Sequence, residues 1–143
     1  MSMLVAGLPL PRALVEVVES GRWTTPPEVG LLETVFRDRP THPRFYSLQG
    51  IINETEHWRT EIDPEILEWY LGSPSDAAPP GDISQQESVL IGDLGPDRPF
   101  ALDYRRNRES PSVVYLTTYN GWLEVAPNVE TFLSMLGLAG VES

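Results

Sequence analysis

The chain has 143 residues, 41% of them apolar, which predicts one globular domain with a real hydrophobic core. It has no cysteine, which excludes disulfides, thiolate metal sites and thiol nucleophiles. The net charge is -11, so the chain should repel nucleic acid and anionic lipid and attract basic proteins. All 10 basic residues are arginine, and the lack of lysine excludes a Walker-type phosphate loop and Schiff-base chemistry.

The first residues, "MSMLVAGLPLPRAL", have no positively charged start, and two prolines break their apolar run. No segment approaches the roughly 20 apolar residues of a membrane span. We therefore expect a soluble, cytoplasmic protein without a membrane partner.

The first half of the chain predicts helices. Apolar residues at helical spacing indicate a helix from about 11 to 20 and a second one that Thr25 caps and Pro40 ends. A third helix carries one apolar face, and a short helical turn follows Pro64. The residues of that third face are Leu48, Ile51, Ile52, Thr55 and Trp58.

The second half predicts strands. Residues 72–86 are rich in Pro, Gly, Ser and Asp and indicate an internal loop within a single domain that spans 1–143. Strand patterns then follow, and Asn128 can cap a closing helix. The predicted strands are Ser88 to Gly92, Phe100 to Tyr104, Ser112 to Tyr119, and Trp122 to Ala126. The fold class is α+β: an antiparallel β-meander with N-terminal helices and a C-terminal helix.

The dipeptide Asn120-Gly121 predicts a two-residue hairpin turn between the last two strands, with both residues exposed and left-handed. That register pairs Tyr119 with Trp122 and makes Leu116 and Val125 buried neighbours. One face then carries Val114, Leu116, Leu123 and Val125, and the other carries Tyr115, Tyr119, Trp122 and Glu124. The second face is either an aromatic recognition surface or a second core layer.

The stretch Gly92 to Pro99 holds two glycines after an apolar strand, a pattern that can mark a phosphate-binding loop. Another strand-like run, "FALDY", follows it, so no helix N-terminus faces an anion. The stretch is therefore predicted to connect two strands and to bind no nucleotide.

No catalytic, cofactor or metal site is predicted. Glu54-x-x-His57 is half of a di-iron motif, but the other histidine, His42, has no matching carboxylate. No serine-hydrolase elbow is present. Paired carboxylates for glycoside chemistry could come from the acids Glu61, Asp63, Glu65 and Glu68, although such a run is usually a solvated surface.

The run from Ser88 to Leu138 resembles the SUKH superfamily, which includes bacterial toxin-immunity proteins and a fungal regulator of cell-wall synthesis. The matching positions are Ile91-Gly92, Leu102-Asp103, Val113 to Leu116, and Val125 to Asn128 running into Phe132-Leu133. The match covers about the last 55 residues well and the N-terminal part loosely. The chain departs from the family pattern at Val129, where an aromatic residue is common, and it lacks the Asn-Gly-Gly that usually follows the first helices of the family.

The resemblance implies a non-catalytic immunity protein that binds the catalytic domain of a bacterial toxin, such as a nuclease. A regulatory adaptor is the second interpretation and an uncharacterised hydrolase the third.

The segment from Glu54 to Glu68 has six acids against Arg59, whereas Arg98 to Arg108 has four bases against Asp103. We expect the acidic segment to face the partner through Glu54, Glu56, Glu61, Asp63, Glu65 and Glu68. The alternative partner surface consists of Tyr119, Trp122 and Glu124.

Overall fold

The computed structural model describes residues 3–60, 62–117 and 121–138. Its helices are α1 Arg12–Glu19, α2 Val29–Phe36, α3 Leu48–Thr60, α4 Pro64–Leu71 and α5 Val129–Met135. Its strands are β1 Leu4–Val5, β2 Leu8–Pro9, β3 Arg44–Phe45, β4 Pro80–Gly81, β5 Ser88–Asp93, β6 Pro99–Asp103, β7 Ser112–Leu116 and β8 Trp122–Ala126. No helix in these three ranges is both long and apolar enough to cross a bilayer.

The main sheet has the order β3-β5-β6-β7-β8-β4, and every neighbouring pair is antiparallel. Its four central strands follow one another in sequence, which is the predicted meander. The α+β fold class is therefore confirmed. The edge strands β3 and β4 have only two residues each, too few to produce a detectable alternation in the sequence.

Helices cover the sheet, and both of its faces are buried. Side chains alternate along β6 and β7, so that Phe100, Leu102 and Tyr115 enter one core while Ala101 and Val114 enter the other. The larger core includes residues of α1, α2 and α5. The smaller core includes Trp58, Trp122 and Leu116, with part of α4 packed against it.

Most helix predictions agree with the structure, with two exceptions. Asn128 caps α5 by accepting a hydrogen bond from the backbone N–H of Thr131, as predicted. Thr25 does not cap α2, which begins at Val29. Its hydroxyl instead accepts a hydrogen bond from the backbone N–H of Phe45 in β3. The helical turn after Pro64 extends to two turns as α4.

The predicted hairpin register is wrong. Trp122 lies opposite Leu116 instead of Tyr119, and the backbone N–H of Thr117 bonds to the carbonyl of Gly121. Gly121 has the expected positive φ, whereas Tyr119 and Asn120 lie outside the described residues. Trp122 thereby joins Leu116 in the smaller core while Tyr115 lies in the larger one, so these two members of the predicted recognition face are buried on opposite sides of the sheet.

The connection after β5 is confirmed as a link between two strands. Asp93 pairs with Pro99, and the carbonyl of Leu94 accepts hydrogen bonds from the backbone N–H groups of Thr41 and His42. Gly92 lies against the ring of Phe100. A Cβ atom at position 92 would come within 2.6 Å of Phe100 Cε1 and 2.7 Å of the carbonyl oxygen of Arg44. Glycine is needed at position 92 for close packing. That the loop binds no nucleotide stays a prediction.

We predict that Gly92→Ala destabilises the fold by about 1 to 3 kcal/mol, because the added methyl group meets buried ring and backbone atoms. The matched control is Gly30→Ala at an exposed position of α2, where a Cβ atom meets nothing within 4 Å. That variant should be neutral or more stable by up to about 1 kcal/mol, since alanine favours helix. Urea unfolding of both variants measures the difference, and equal midpoints would contradict the packing argument.

Candidate functional site

The predicted acidic segment forms the outer surface of α3 and α4. Glu56, Asp63, Glu65 and Glu68 are exposed, and Glu54 is half-buried. Glu61, the remaining member of the predicted set, lies outside the described residues. Of the predicted acids, Glu54 and Glu56 thus lie on α3, Glu65 and Glu68 lie on α4, and Asp63 caps α4.

A cleft of about 200 Å³ opens beside these acids, between α3, α4 and the ends of β3 and β5. Glu54 and His57 both line it, as expected for residues three apart on a helix. In the part of the chain that the structure describes, no group of three His, Cys, Asp or Glu residues is arranged to hold a metal ion. The cleft thus contains half of the di-iron pattern without the second half.

Asp93 is the polar centre of the cleft. Its carboxylate is 4% exposed, and it accepts hydrogen bonds of 2.7 Å from both the hydroxyl of Tyr46 and Nη2 of Arg44. Burial, reinforced by the bond to Asp93, raises the pKa of Tyr46 well above its ordinary value. The bond to Asp93 also raises the pKa of Arg44. Tyr46 therefore stays neutral and Arg44 stays charged, and their bonds to Asp93 fix the wall of the cleft.

The fourth helix closes the other side of the cleft and is attached to the smaller core. Nε1 of Trp122 donates a 2.6 Å hydrogen bond to the carbonyl of Tyr70, and the backbone N–H of Ile83 donates to the carbonyl of Leu71. Asp63 caps the helix by accepting from the backbone N–H of Glu65. The hydroxyl of Tyr70 donates to Asp97 across the cleft. These bonds fix which side of α4 faces solvent.

The solvent-facing side of α4 combines acidic and apolar side chains. Ile66 is 49% exposed and Trp69 is 51% exposed. Glu65 and Glu68 lie beside them at helical spacing. We call these four residues the α4 face.

Three acids of this surface, Glu56, Glu65 and Glu68, form no ion pair within residues 3–60, 62–117 and 121–138. Arg59, the base within the segment, donates from Nη2 to the carbonyl of Gln86 at 2.7 Å. The charges of Glu56, Glu65 and Glu68 are therefore not paired with a base within the described residues, whereas Glu54 interacts with Arg44.

The basic segment from Arg98 to Arg108 is largely neutralised. Arg98 pairs with Asp38 at 3.3 Å, and Arg105 pairs with Asp82 and Asp103 at 3.0 Å each. Only half of the predicted charge separation is therefore present. The acidic segment on α3 and α4 keeps unpaired acids, whereas Arg98 and Arg105 of the basic segment are paired with acids.

The alternative surface of Tyr119, Trp122 and Glu124 is not assembled as predicted. Trp122 is completely buried and Tyr119 lies outside the described residues. Glu124 is exposed and lies 3.9 Å from Arg106. Trp122 is therefore a core residue that offers a partner no surface.

Sequence reasoning missed the exposed tryptophan. The run "PEILEWYL" places large apolar residues on all sides of a two-turn helix, so a helix at the surface must expose some of them. That pattern could have identified Ile66 and Trp69, whereas the cluster around Asp93 joins residues nearly 50 positions apart and has no local signal.

We predict that stability falls as the pH rises from about 10 to 12, partly through Tyr70. Burial, with the hydrogen bond to Asp97, raises the pKa of Tyr70 to about 12. The unfolded chain releases that proton near pH 10, so the stabilisation is complete below about pH 10 and is lost as the pH reaches the folded value. Urea midpoints of the wild type and Tyr70→Phe should differ more at pH 9 than at pH 11. A constant difference would contradict the assignment.

The family model described as "SMI1 / KNR4 family (SUKH-1)" matches residues 4–135. Comparisons with curated proteins and with solved structures find no match. The family match includes α1 to α4 as well as the meander, so it extends well beyond the C-terminal run that carried the resemblance. The chain belongs to the SMI1 / KNR4 family, SUKH-1.

Proposed function

We propose that the protein is a non-catalytic immunity protein that binds the catalytic domain of a partner toxin and blocks it. Membership of the SUKH family is consistent with immunity or regulatory roles. The observation that carries the proposal is the acidic surface of α3 and α4, where Glu56, Glu65 and Glu68 form no ion pair within the described residues, while Arg98 and Arg105 are paired with acids elsewhere.

The acidic surface favours a basic partner. Proteins that act on nucleic acid hold phosphates with basic side chains, and an acidic protein surface can occupy the same position as the anionic substrate. A nuclease domain is therefore the toxin class that this surface fits best. Binding there excludes the nucleic acid, so inhibition requires no chemistry from the immunity protein.

The interior of the cleft supports a binding role over a catalytic one. Asp93 is occupied by Tyr46 and Arg44, and both donors are fixed in their ordinary protonation states. The third interpretation, a hydrolase built on the acids near Pro64, needs one carboxyl group in a perturbed environment. Asp63, Glu65 and Glu68 are instead exposed to solvent.

Growth protection tests the function directly. The probe is the protein that the gene directly upstream encodes, expressed in a host with and without this chain. Survival that depends on the chain, together with a purified one-to-one complex, is the expected result. Unchanged toxicity in the presence of well-folded chain would contradict the immunity proposal and leave the regulatory adaptor.

We predict that Glu65→Arg combined with Glu68→Arg slows association with that toxin domain by about tenfold or more at low salt. The reason is that the surface charges steer the encounter of the two proteins. The salt dependence of the association rate should also flatten. Stopped-flow binding at two ionic strengths measures both effects.

The control is Glu19→Arg combined with Glu109→Arg, which makes the same change in net charge at two exposed acids outside α3 and α4. An equal effect of the two double variants would mean that only net charge matters, and would contradict the assignment of the surface.

A further inference from the structure

We propose that Trp69 anchors the partner by stacking on an arginine side chain of a basic protein, with Glu65 and Glu68 holding the guanidinium group. This inference rests on the proposed function, because it names the chemistry of the contact at the same acidic surface.

The exposure of Trp69 is the first support. The other three tryptophans, Trp23, Trp58 and Trp122, are between 0% and 5% exposed, whereas Trp69 is 51% exposed. Tryptophan is among the residues that most often dominate the binding free energy of protein interfaces. Ile66, one helical turn before it, extends the apolar contact.

The fixed position of α4 is the second support. The helix is held from behind by the bond from Trp122 to Tyr70 and by the ring contact between Trp58 and Tyr70, whose centroids are 6.2 Å apart. The ring of Trp69 lies edge-on to that of Tyr70 at 5.0 Å. A side chain presented by a fixed helix loses little conformational entropy on binding.

Charge complementarity selects arginine as the occupant. Glu65 lies four residues before Trp69 and Glu68 lies next to it, and neither takes part in an ion pair within the described residues. A planar guanidinium group can stack on an indole ring and donate to carboxylates at the same time. Lysine offers a point charge without the flat surface, so arginine should bind more tightly.

A groove beside Trp69 provides room for the chain that carries the arginine. It has a volume of about 520 Å³ and lies between the end of α4, the loop after it and the end of the β7–β8 hairpin. Its wall includes Glu68, Trp69, Ser73, Pro74 and Ser75. An extended segment of the partner could follow this groove toward the α4 face.

The test uses the full chain and two probes, a seven-residue arginine peptide and a seven-residue lysine peptide. Acrylamide quenching of tryptophan fluorescence reports mainly on Trp69, because the other three indoles are buried. The arginine peptide should shield Trp69 and bind about three- to fivefold more tightly than the lysine peptide. Isothermal titration calorimetry, which needs no fluorophore at position 69, measures both affinities for every variant: Trp69→Ala should abolish the preference, and Trp69→Phe should restore part of it.

The matched control is Leu4→Ala, which removes another large exposed apolar side chain, 58% exposed, from β1. It should keep the preference for arginine. Because Trp69 is half exposed, Trp69→Ala should also keep the thermal midpoint within a few degrees. Equal binding of the two peptides, no binding of either, or an equal effect of the two alanine variants would overturn the inference.

The toxin domain separates this inference from the proposed function. Trp69→Ala should speed dissociation of the toxin by about tenfold or more while Leu4→Ala leaves it unchanged. If the wild type protects cells and Trp69→Ala dissociates at the wild-type rate, the inference is wrong and the function stands. If the wild type fails to protect cells, the function is wrong, and the peptide experiment still decides the role of Trp69.

Discussion

The hydrogen bond from the buried indole of Trp122 to the carbonyl of Tyr70 connects the sheet to the helix that carries the candidate surface. A buried indole N–H needs an acceptor, and this one finds it at the end of α4. The same ring lies 6.4 Å from that of Trp58, whose own Nε1 donates to the hydroxyl of Ser88 in β5. Two tryptophans thus join α3, α4 and the sheet in one small core.

This constraint explains why the register prediction fails. An Asn-Gly pair favours a two-residue turn, but that turn places Trp122 on the side of Tyr115. Both faces of the sheet are buried, and on the side of Leu116 the indole N–H of Trp122 finds an acceptor in the carbonyl of Tyr70, so tertiary packing outweighs the local preference of the turn. The register shifts between Val113 and Val114, as at a bulge, and Val113 pairs with Ala126.

The strands and helices could be predicted because their signals are local. The bounds of β8 agree with the prediction residue for residue, and the cap of α5 at Asn128 does so as well. The two-residue strands β3 and β4 could not be predicted, since their pairing depends on partners more than 40 positions away. Tertiary packing determines such segments, and no pattern within them identifies it.

The charge of the candidate surface illustrates the same limit. The sequence shows an acidic segment followed later by a basic one and predicts a charge separation between them. The fold instead directs Arg98 to Asp38 and Arg105 to Asp82, both in other parts of the chain. Which acids remain unpaired therefore depends on the long-range topology, which leaves Glu56, Glu65 and Glu68 without an ion pair within the described residues.

The α4 helix depends on neighbours at both of its faces. At eight residues it is too short to be stable alone, and none of its residues is fully buried. Its acids Glu65 and Glu68 are three residues apart and repel each other, which opposes helix formation. The inner face is stabilised by Trp122 through Tyr70. A basic partner on the outer face would neutralise Glu65 and Glu68 and cover Trp69. Binding would thus remove the repulsion that weakens the free helix, and the partner would stabilise α4.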